Sequence, residues 1–435
     1  MKEFDSIIGY TAVKRELEQI ADVLKDAAPY ARLGIVPPRG LLLYGEPGVG
    51  KTLMATALIK ASGRKVFVCR KDKPNGDFVK AIKTTFDKAV AQAPSIVLLD
   101  DMDKFSNGDE RHPDAEEYVT VQSCIDEIKH QDVFVLATAN NLRCLPRSLL
   151  RAGRFDRRIE VDVPRGSDAQ RIIEHYLGQK KFVSGVDAQT IARIMDGRSC
   201  AELETILNEA GLYAGFERSD CITMEHFMRA CMKTIFDIPA DDADECVVNL
   251  SDADSLPSQI IYHEAGHAVV HELLFPGSVT LVSVRGNGGH IGGFTSYYDD
   301  PRIHPAHGAK GKIVASLGGL AATEQVYGLH DYGASRDLDR AFDEMKDLVG
   351  NDCLCGFHLH ANTYGDSQEL KARQEQAVSA EVEKAYRKAK EILAVNRTFL
   401  DKIAAELAEK GLLTTLDIQR LKAECPLVSV SIDGI

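Results

Sequence analysis

The sequence predicts a multidomain protein: an α/β domain on a parallel sheet, a small all-helical subdomain, and a mainly helical second half behind a polar linker. Three observations carry this. Short apolar runs alternate with amphipathic stretches as far as Val163, and from Ser167 to about Phe236 the period becomes helical throughout. Ile238 to Ser258 is then rich in Asp, Ser and Pro, including Pro239-Ala240-Asp241-Asp242-Ala243-Asp244. The expected boundaries are 1–166, 167–237, a linker over 238–258, the second half over 259–425, and a tail over 426–435 that is either a short strand or loose.

In the first part, Gly40-Leu41-Leu42-Leu43-Tyr44 reads as a buried strand, followed by a glycine-rich turn and a helix from Lys51 to Ser62. Lys65 to Cys69 is a second strand, and Asp77 to Gln92 has helical periodicity. Ile96 to Leu99, Val133 to Thr138 and Arg158 to Val163 suit parallel strands, the first two central. Such alternation means a doubly wound domain. After the linker, Ile260 to Leu274 is an apolar helix, and Val279 to Tyr298 is strand-like and studded with glycine. Helical sequence follows as far as Leu421, with no internal repeat.

At 435 residues the chain is long enough for two or three independently buried cores. An apolar fraction of 44% and a charged fraction of 27% are those of a globular protein. A net charge of −13 argues against non-specific binding to nucleic acid and against a basic membrane-facing surface. Ten cysteines lie scattered without regular pairing, which favours reduced thiols over a disulfide framework. No apolar stretch reaches the roughly twenty residues of a spanning helix, and Met1-Lys2-Glu3-Phe4-Asp5 has no hydrophobic targeting core. The expectation is a soluble protein in a cytosol-like compartment.

Gly45-Glu46-Pro47-Gly48-Val49-Gly50-Lys51-Thr52 fits the phosphate-loop pattern in full, between a strand and a helix. Glycines let backbone N–H groups close on phosphates at a helix N-terminus that favours anions. Lys51 would reach the β- and γ-phosphates of ATP, and the Thr52 hydroxyl would bind Mg²⁺. Ile96-Val97-Leu98-Leu99-Asp100-Asp101 supplies the second half: Asp100 placed to hold Mg²⁺, Asp101 to polarise the attacking water. Asn140, at the end of the next strand, is placed to orient that water.

His263-Glu264-Ala265-Gly266-His267 lies within the apolar helix. Four residues separate the histidines, so both imidazoles project from one face and can grip one zinc ion. Glu264, on the adjoining edge, can take a proton from water that the zinc activates. Zinc catalysis leaves room for a third protein ligand from elsewhere in the chain. His271, one turn further along and roughly 6 Å away, is too distant for the same ion and reads as a surface or supporting residue. Cys353-Leu354-Cys355-Gly356-Phe357-His358-Leu359-His360 is a weaker candidate for a second metal site, since strand alternation gives the same spacing.

Leu149-Leu150-Arg151-Ala152-Gly153-Arg154-Phe155-Asp156-Arg157 resembles the second region of homology of AAA+ ATPases, and with the zinc motif the chain resembles the FtsH-type AAA zinc metalloproteases. The resemblance runs from Phe4-Asp5-Ser6-Ile7-Ile8-Gly9 to Asn396-Arg397-Thr398-Phe399-Leu400. It implies an AAA+ domain with a helical lid, then a zinc metallopeptidase domain. It also implies a homo-hexameric ring in which Arg154 and Arg157 act as arginine fingers on a neighbour's nucleotide. Among Glu324, His330, Asp331, Asp337 and Asp339 it selects Asp337 as the third zinc ligand, with Glu324 read as a supporting partner. It sets Gly292-Gly293-Phe294-Thr295-Ser296-Tyr297 beside the site as an edge strand for substrate, and it makes unfolded or loosely folded proteins the substrates. Members are normally anchored by transmembrane helices ahead of the ATPase domain.

Two departures from the family pattern matter. Asp101 stands where the family has Glu, and a carboxylate set back by about 1 Å can cost on the order of a hundredfold in rate. The expectation is slow hydrolysis. The pore segment, normally an aromatic, an apolar residue and Gly, reads Lys73-Pro74-Asn75-Gly76-Asp77-Phe78. These departures keep two alternatives open: a peptidase gated by ATP without energy input, and a non-proteolytic remodelling chaperone.

Overall fold

The structure is a computed structural model that describes residues 2–71, 77–106, 115–151, 153–238, 250, 255–284, 292–298, 305–328, 334–361, 365 and 367–431. Close packing divides the chain into two units, Met1–Phe227 and Met228–Ile435.

The first unit contains α1 (Thr11–Lys25), α2 (Ala28–Arg32), β1 (Gly40–Tyr44), α3 (Lys51–Ser62), β2 (Lys65–Cys69), α4 (Phe78–Val90), β3 (Ser95–Leu99), α5 (Glu116–Glu127), β4 (Val133–Ala139) and β5 (Arg157–Glu160). Then come α6 (Gly166–Gly178), α7 (Ala188–Ile194), α8 (Cys200–Phe216) and α9 (Met224–Phe236), inside which the division falls. The five strands form a parallel sheet in the order β2-β3-β4-β1-β5. All of β3 and β4 is buried, which is why these segments read as unbroken apolar runs. Parallel register brings the carboxyl ends of β1, β3 and β4 to one edge of the sheet, with Tyr44 beside Ala139 and Leu99 beside Ala137. Open α/β sheets bind ligands at such an edge.

The second unit holds α10 (Leu256–Leu274), β6 (Val279–Ser283), β7 (Phe294–Tyr297), α11 (Pro305–Ser316), α12 (Gly318–Tyr327), α13 (Ser335–Gly350), α14 (Gln368–Val395), α15 (Arg397–Lys410), β8 (Leu412–Thr414) and α16 (Thr415–Glu424). Its core runs along α10 and gathers Ile261, Ala265, Ala268 and Val269 with residues of α11 to α16. β6 is the buried middle strand of an antiparallel sheet, β7-β6-β8, and β7 is an edge. α10 crosses α12 so closely that a Cβ on Gly266 would stand 2.4 Å from the Gly318 carbonyl oxygen. Only glycine permits that approach.

Some local expectations change. The linker as read ends at 258, but α10 already begins at Leu256; residues 239–249 and 251–254 lie outside the described residues. β8 interrupts a stretch read as helical, because three residues are too few to show a period. Residues 426–431 form no strand, yet they are not loose: the Asn396 amide donates to Val428 O at 3.1 Å, and Val428 N donates to Asn396 Oδ1 at 2.7 Å. Phe357–Leu359 is a 3-10 turn, so strand alternation does not account for the cysteine and histidine spacing around it. The nine described cysteines are free thiols. Among the described residues no helix is long and apolar enough to cross a membrane.

Candidate functional site

The phosphate loop joins β1 to α3, with Gly45, Gly48 and Gly50 all at positive φ. A Cβ on Gly45 would lie 2.1 Å from Val161 O, and one on Gly48 2.9 Å from Ala201 Cβ. Glycine is required there by space as well as by backbone. Val49 is buried, Pro47 exposed, and Thr52 is exposed in the first turn of α3. Lys51 folds back and donates to Gly45 O at 2.8 Å and Glu46 O at 2.7 Å. Burial pulls its ammonium below the usual range, against the opposing pull of Asp103 and Asp101.

Asp100 directly follows β3 and accepts from the Thr138 hydroxyl at 2.8 Å; that hydroxyl accepts from Asp101 N at 2.9 Å. Asp101 takes a left-handed backbone (φ 53°) and its carboxylate pairs with Lys104 at 2.9 Å. Arg70 spans the two aspartates, 3.6 Å from each. Asn140 donates to Asp103 through its backbone N–H (3.0 Å) and its side-chain amide (3.3 Å). The sequence reading missed Asp103, although its place two residues after Asp101 and on a turn was the available signal. It also missed the N-terminus of α8, where Ala201 N donates to Gly48 O at 3.1 Å and so brings the helical subdomain onto the phosphate loop.

Arg154 is fully engaged within its own chain. It forms a two-pronged pair with Asp126 (3.2 and 2.8 Å) and donates to Gln122 Oε1 and Ser148 O. Arg157 is exposed at the start of β5 and lines an open cavity of about 670 Å³ with Arg39, Asp156 and Lys129. Of the altered pore segment, residues 72–76 (Gly76 included) lie outside the described residues. Phe78 begins α4 and packs edge-on against Phe105, ring centres 4.8 Å apart.

In the second unit, His263 and His267 lie a turn apart on α10, and Asp337 lies in the first turn of α13. His263 Nε2 is 3.0 Å from His267 Nε2, and Asp337 Oδ2 is 3.1 and 3.2 Å from the two nitrogens. Among the described residues this is the one group of three or more His, Cys, Asp or Glu side chains arranged to hold a metal. His267 Nδ1 lies 2.8 Å from Ala315 O, which only accepts, so Nδ1 carries the proton and Nε2 presents its lone pair. Three donor atoms thus face one point. Tetrahedral zinc with bonds of about 2.0–2.2 Å sets neighbouring ligand atoms about 3.3 Å apart, so the spacing fits zinc. Burial pushes the Asp337 carboxyl up, but the closeness of the two imidazoles outweighs it and holds the group below the usual carboxylate range.

Glu264 is buried beside this triangle. Burial raises its carboxyl above the usual range; the two imidazoles and a 2.8 Å hydrogen bond from the Thr295 hydroxyl oppose that rise. Two glycines make room. A Cβ on Gly319 would stand 2.5 Å from His263 Nε2, and one on Gly293 2.5 Å from Glu264 Cγ. Gly293 was read only as part of an edge strand and Gly319 not at all, although a Gly318-Gly319 pair, here the start of α12, is a sign of close approach.

The competing residues go elsewhere. Glu324 is engaged by Tyr386 and Lys390 from α14, and Asp339 is exposed; His330 and Asp331 lie outside the described residues. His271 is not at the surface: it is buried and stacked on Tyr297 at 3.9 Å, with burial pulling it to about 3. Cys353 Sγ approaches His360 Nδ1 at 3.6 Å, with no third metal-holding partner among the described residues.

Comparison with known proteins matches successive parts of the chain to different families. Residues 41–163 match the ATPase family associated with various cellular activities (AAA), 185–229 the AAA+ lid domain, and 254–421 peptidase family M41. The chain is 31% identical over 463 residues to the ATP-dependent zinc metalloprotease FtsH of Caldicellulosiruptor bescii, covering 97% of this chain and 72% of that protein. It is 29% identical to that of Pelobacter propionicus (96% and 70% covered) and 29% identical to that of Thermotoga maritima (97% and 73%). With an AAA ATPase, its lid and an M41 peptidase in one chain, the protein belongs to the FtsH family of ATP-dependent zinc metalloproteases.

Proposed function

We propose that this enzyme is a homo-hexameric endopeptidase that degrades unfolded or loosely folded proteins at the expense of ATP. In this reading residues 1–166 and 167–237 are the ATPase and its lid, and 259–425 the peptidase. The observation that carries it is the convergence of His263 Nε2, His267 Nε2 and Asp337 Oδ2 beside Glu264. Those three residues would hold zinc, which when bound polarises the scissile carbonyl and acidifies a water. Glu264 takes the proton as the water oxygen adds to the carbonyl carbon, then gives it to the leaving amine nitrogen as the C–N bond breaks. The buried helix around Glu264 keeps bulk water from competing for that proton. β7, an edge strand touching Glu264 through Thr295, would take an extended peptide by strand addition, which reads backbone more than side chains and suits broad specificity.

On the ATPase side, Gly45, Pro47, Gly48, Val49 and Gly50 form the phosphate cradle. Lys51 leaves its loop carbonyls for the phosphates, and Thr52 and Asp100 hold Mg²⁺. Asp101 and Asn140 orient the attacking water, and Arg154 and Arg157 reach a neighbouring subunit's nucleotide. The AAA family acts as oligomers, which supports the ring.

The second reading, a peptidase gated by ATP without energy input, is favoured by one observation: the shortened Asp101 carboxylate is already tied to Lys104. Degradation of an unfolded casein-like protein and a short peptide separates the two. The assays use ATP, a non-hydrolysable analogue, and a zinc chelator. Chelator-sensitive loss of the protein only with ATP supports the coupled protease. Peptide cleavage indifferent to ATP supports gating. No cleavage of either, with ATP still hydrolysed, leaves a remodelling chaperone.

A further inference from the structure

We propose that Thr295 is the positioning residue for Glu264, so that the strand offered to substrate also aims the proton-transferring carboxylate. The inference rests on the reading of Glu264 as that base. Thr295 Oγ1 lies 2.8 Å from Glu264 Oε2 and 3.1 Å from the Glu264 carbonyl oxygen. The hydroxyl has one proton and therefore serves one acceptor at a time. While Glu264 is a carboxylate, Thr295 donates to Oε2 and fixes the rotation of the group. Once Glu264 holds the proton taken from water, the hydroxyl turns to the carbonyl oxygen and accepts from Oε2–H. Thr295 gains and loses no proton in the cycle, and Glu264 is held in both of its forms.

The place of Thr295 is itself fixed. It pairs with Val282 of β6, a strand buried along its length and tied on its other side to β8. Two residues before it, Gly293 lets the chain pass against Glu264, where a Cβ would stand 2.5 Å from Cγ. The Gly293 backbone and the Thr295 hydroxyl therefore both stand close against the Glu264 side chain. Valine has the same shape as threonine and an equal liking for strands, so T295V removes the hydroxyl while preserving the strand.

The test compares wild type, T295V, T295S and E264Q as full chains loaded with zinc. Cleavage of a fluorogenic peptide gives kcat and KM; zinc content and ATP hydrolysis are measured on the same preparations. The expected result is a kcat about tenfold lower in T295V with KM within about twofold, unchanged zinc and ATP hydrolysis, and recovery in T295S. A wild-type kcat in T295V, a loss confined to KM, or an equal loss in T295S overturns the proposal. Loss of zinc from T295V overturns it too, because the hydroxyl then holds the fold. E264Q separates the two levels: if it cleaves like wild type, the base assignment falls and the Thr295 role with it. If E264Q is inactive and T295V is normal, the Thr295 role alone falls.

Discussion

The two chemical centres of this chain are prepared in opposite ways. Around His263 and His267 the donor atoms already face one point. They are held by the Ala315 carbonyl, by helices that touch at Gly266 and Gly318, and by Gly319 lying flat against an imidazole. Among the residues proposed for the nucleotide site, Lys51 is spent on its own loop, Asp101 on Lys104 and Arg70, and Arg154 on Asp126, while Arg157 is exposed. Closely packed donors need little reorganisation to take a ligand. Self-neutralised charges have to be traded one for one, so on the proposed assignment nucleotide binding is expected to carry a rearrangement that zinc binding does not. That difference suits an enzyme in which ATP is the variable input and the peptidase centre a fixed tool.

The sharpest way to break this comparison is to damage one centre and read both. Glu264→Gln keeps the size of the side chain and removes its basicity, so peptide cleavage falls by roughly 10²–10⁴-fold while zinc content and ATP hydrolysis stay at wild-type levels. A parallel fall in ATP hydrolysis would show that the centres are not independently prepared. The matching change in the ATPase is Asp101→Glu. Restoring one methylene brings the carboxylate about 1 Å closer to the water and raises ATP turnover, up to about a hundredfold, with peptide cleavage without nucleotide unchanged. An unchanged turnover number would mean that the Asp101 carboxylate does not set the rate.

Gly319→Ala probes the packing of the metal centre. A methyl would meet His263 Nε2 at 2.5 Å, and backbone of a helix core cannot retreat far. The ring shifts, and zinc affinity measured by competition with a chelator falls about 10–100-fold, the range seen when groups that orient metal ligands are changed. Wild-type affinity would show that the imidazole is free to move, and the picture of a rigid centre would fail.

What sequence conveyed about the two centres differs for the same physical reason. The phosphate loop and the histidine pair are local: chain neighbours or residues one helical turn apart, whose geometry follows from the helix or strand that carries them. β3 and β4 were readable because strands buried on both faces must be apolar throughout. Asp337 lies 70 residues beyond His267, and no periodicity reaches that far; resemblance alone singled it out from its acidic neighbours. Gly293, Thr295 and Gly319 act through approaches between elements, as does the Ala315 carbonyl, and a backbone oxygen has no signature in sequence. Asp103 was hidden because its partner, Asn140, comes from the neighbouring strand. Arg154 was read as part of a motif, and its partner Asp126 on α5 was not visible in that motif.

The mildest test concerns the restraint on Asp101. Lys104 sits three residues on, largely exposed, and its amine donates to Asp101 Oδ2 at 2.9 Å; that hydrogen bond raises the lysine's own pKa. Exposed pairs of this kind contribute only a few tenths of a kcal/mol, about 0.2–1. Releasing the pair therefore cannot transform the enzyme, but it can shift how often Asp101 is available to a water. Lys104→Ala is expected to raise ATP turnover about twofold at low salt, and added salt should erase the difference by screening the pair in wild type. Arg70 complicates the outcome in a useful way, because it reaches both Asp100 and Asp101 and remains in the variant. If Lys104→Ala has no effect at any ionic strength while Arg70→Ala raises turnover, the restraint belongs to the arginine. If neither changes it, the charges at the nucleotide site are paired but not held, and the contrast with the metal centre narrows to packing alone.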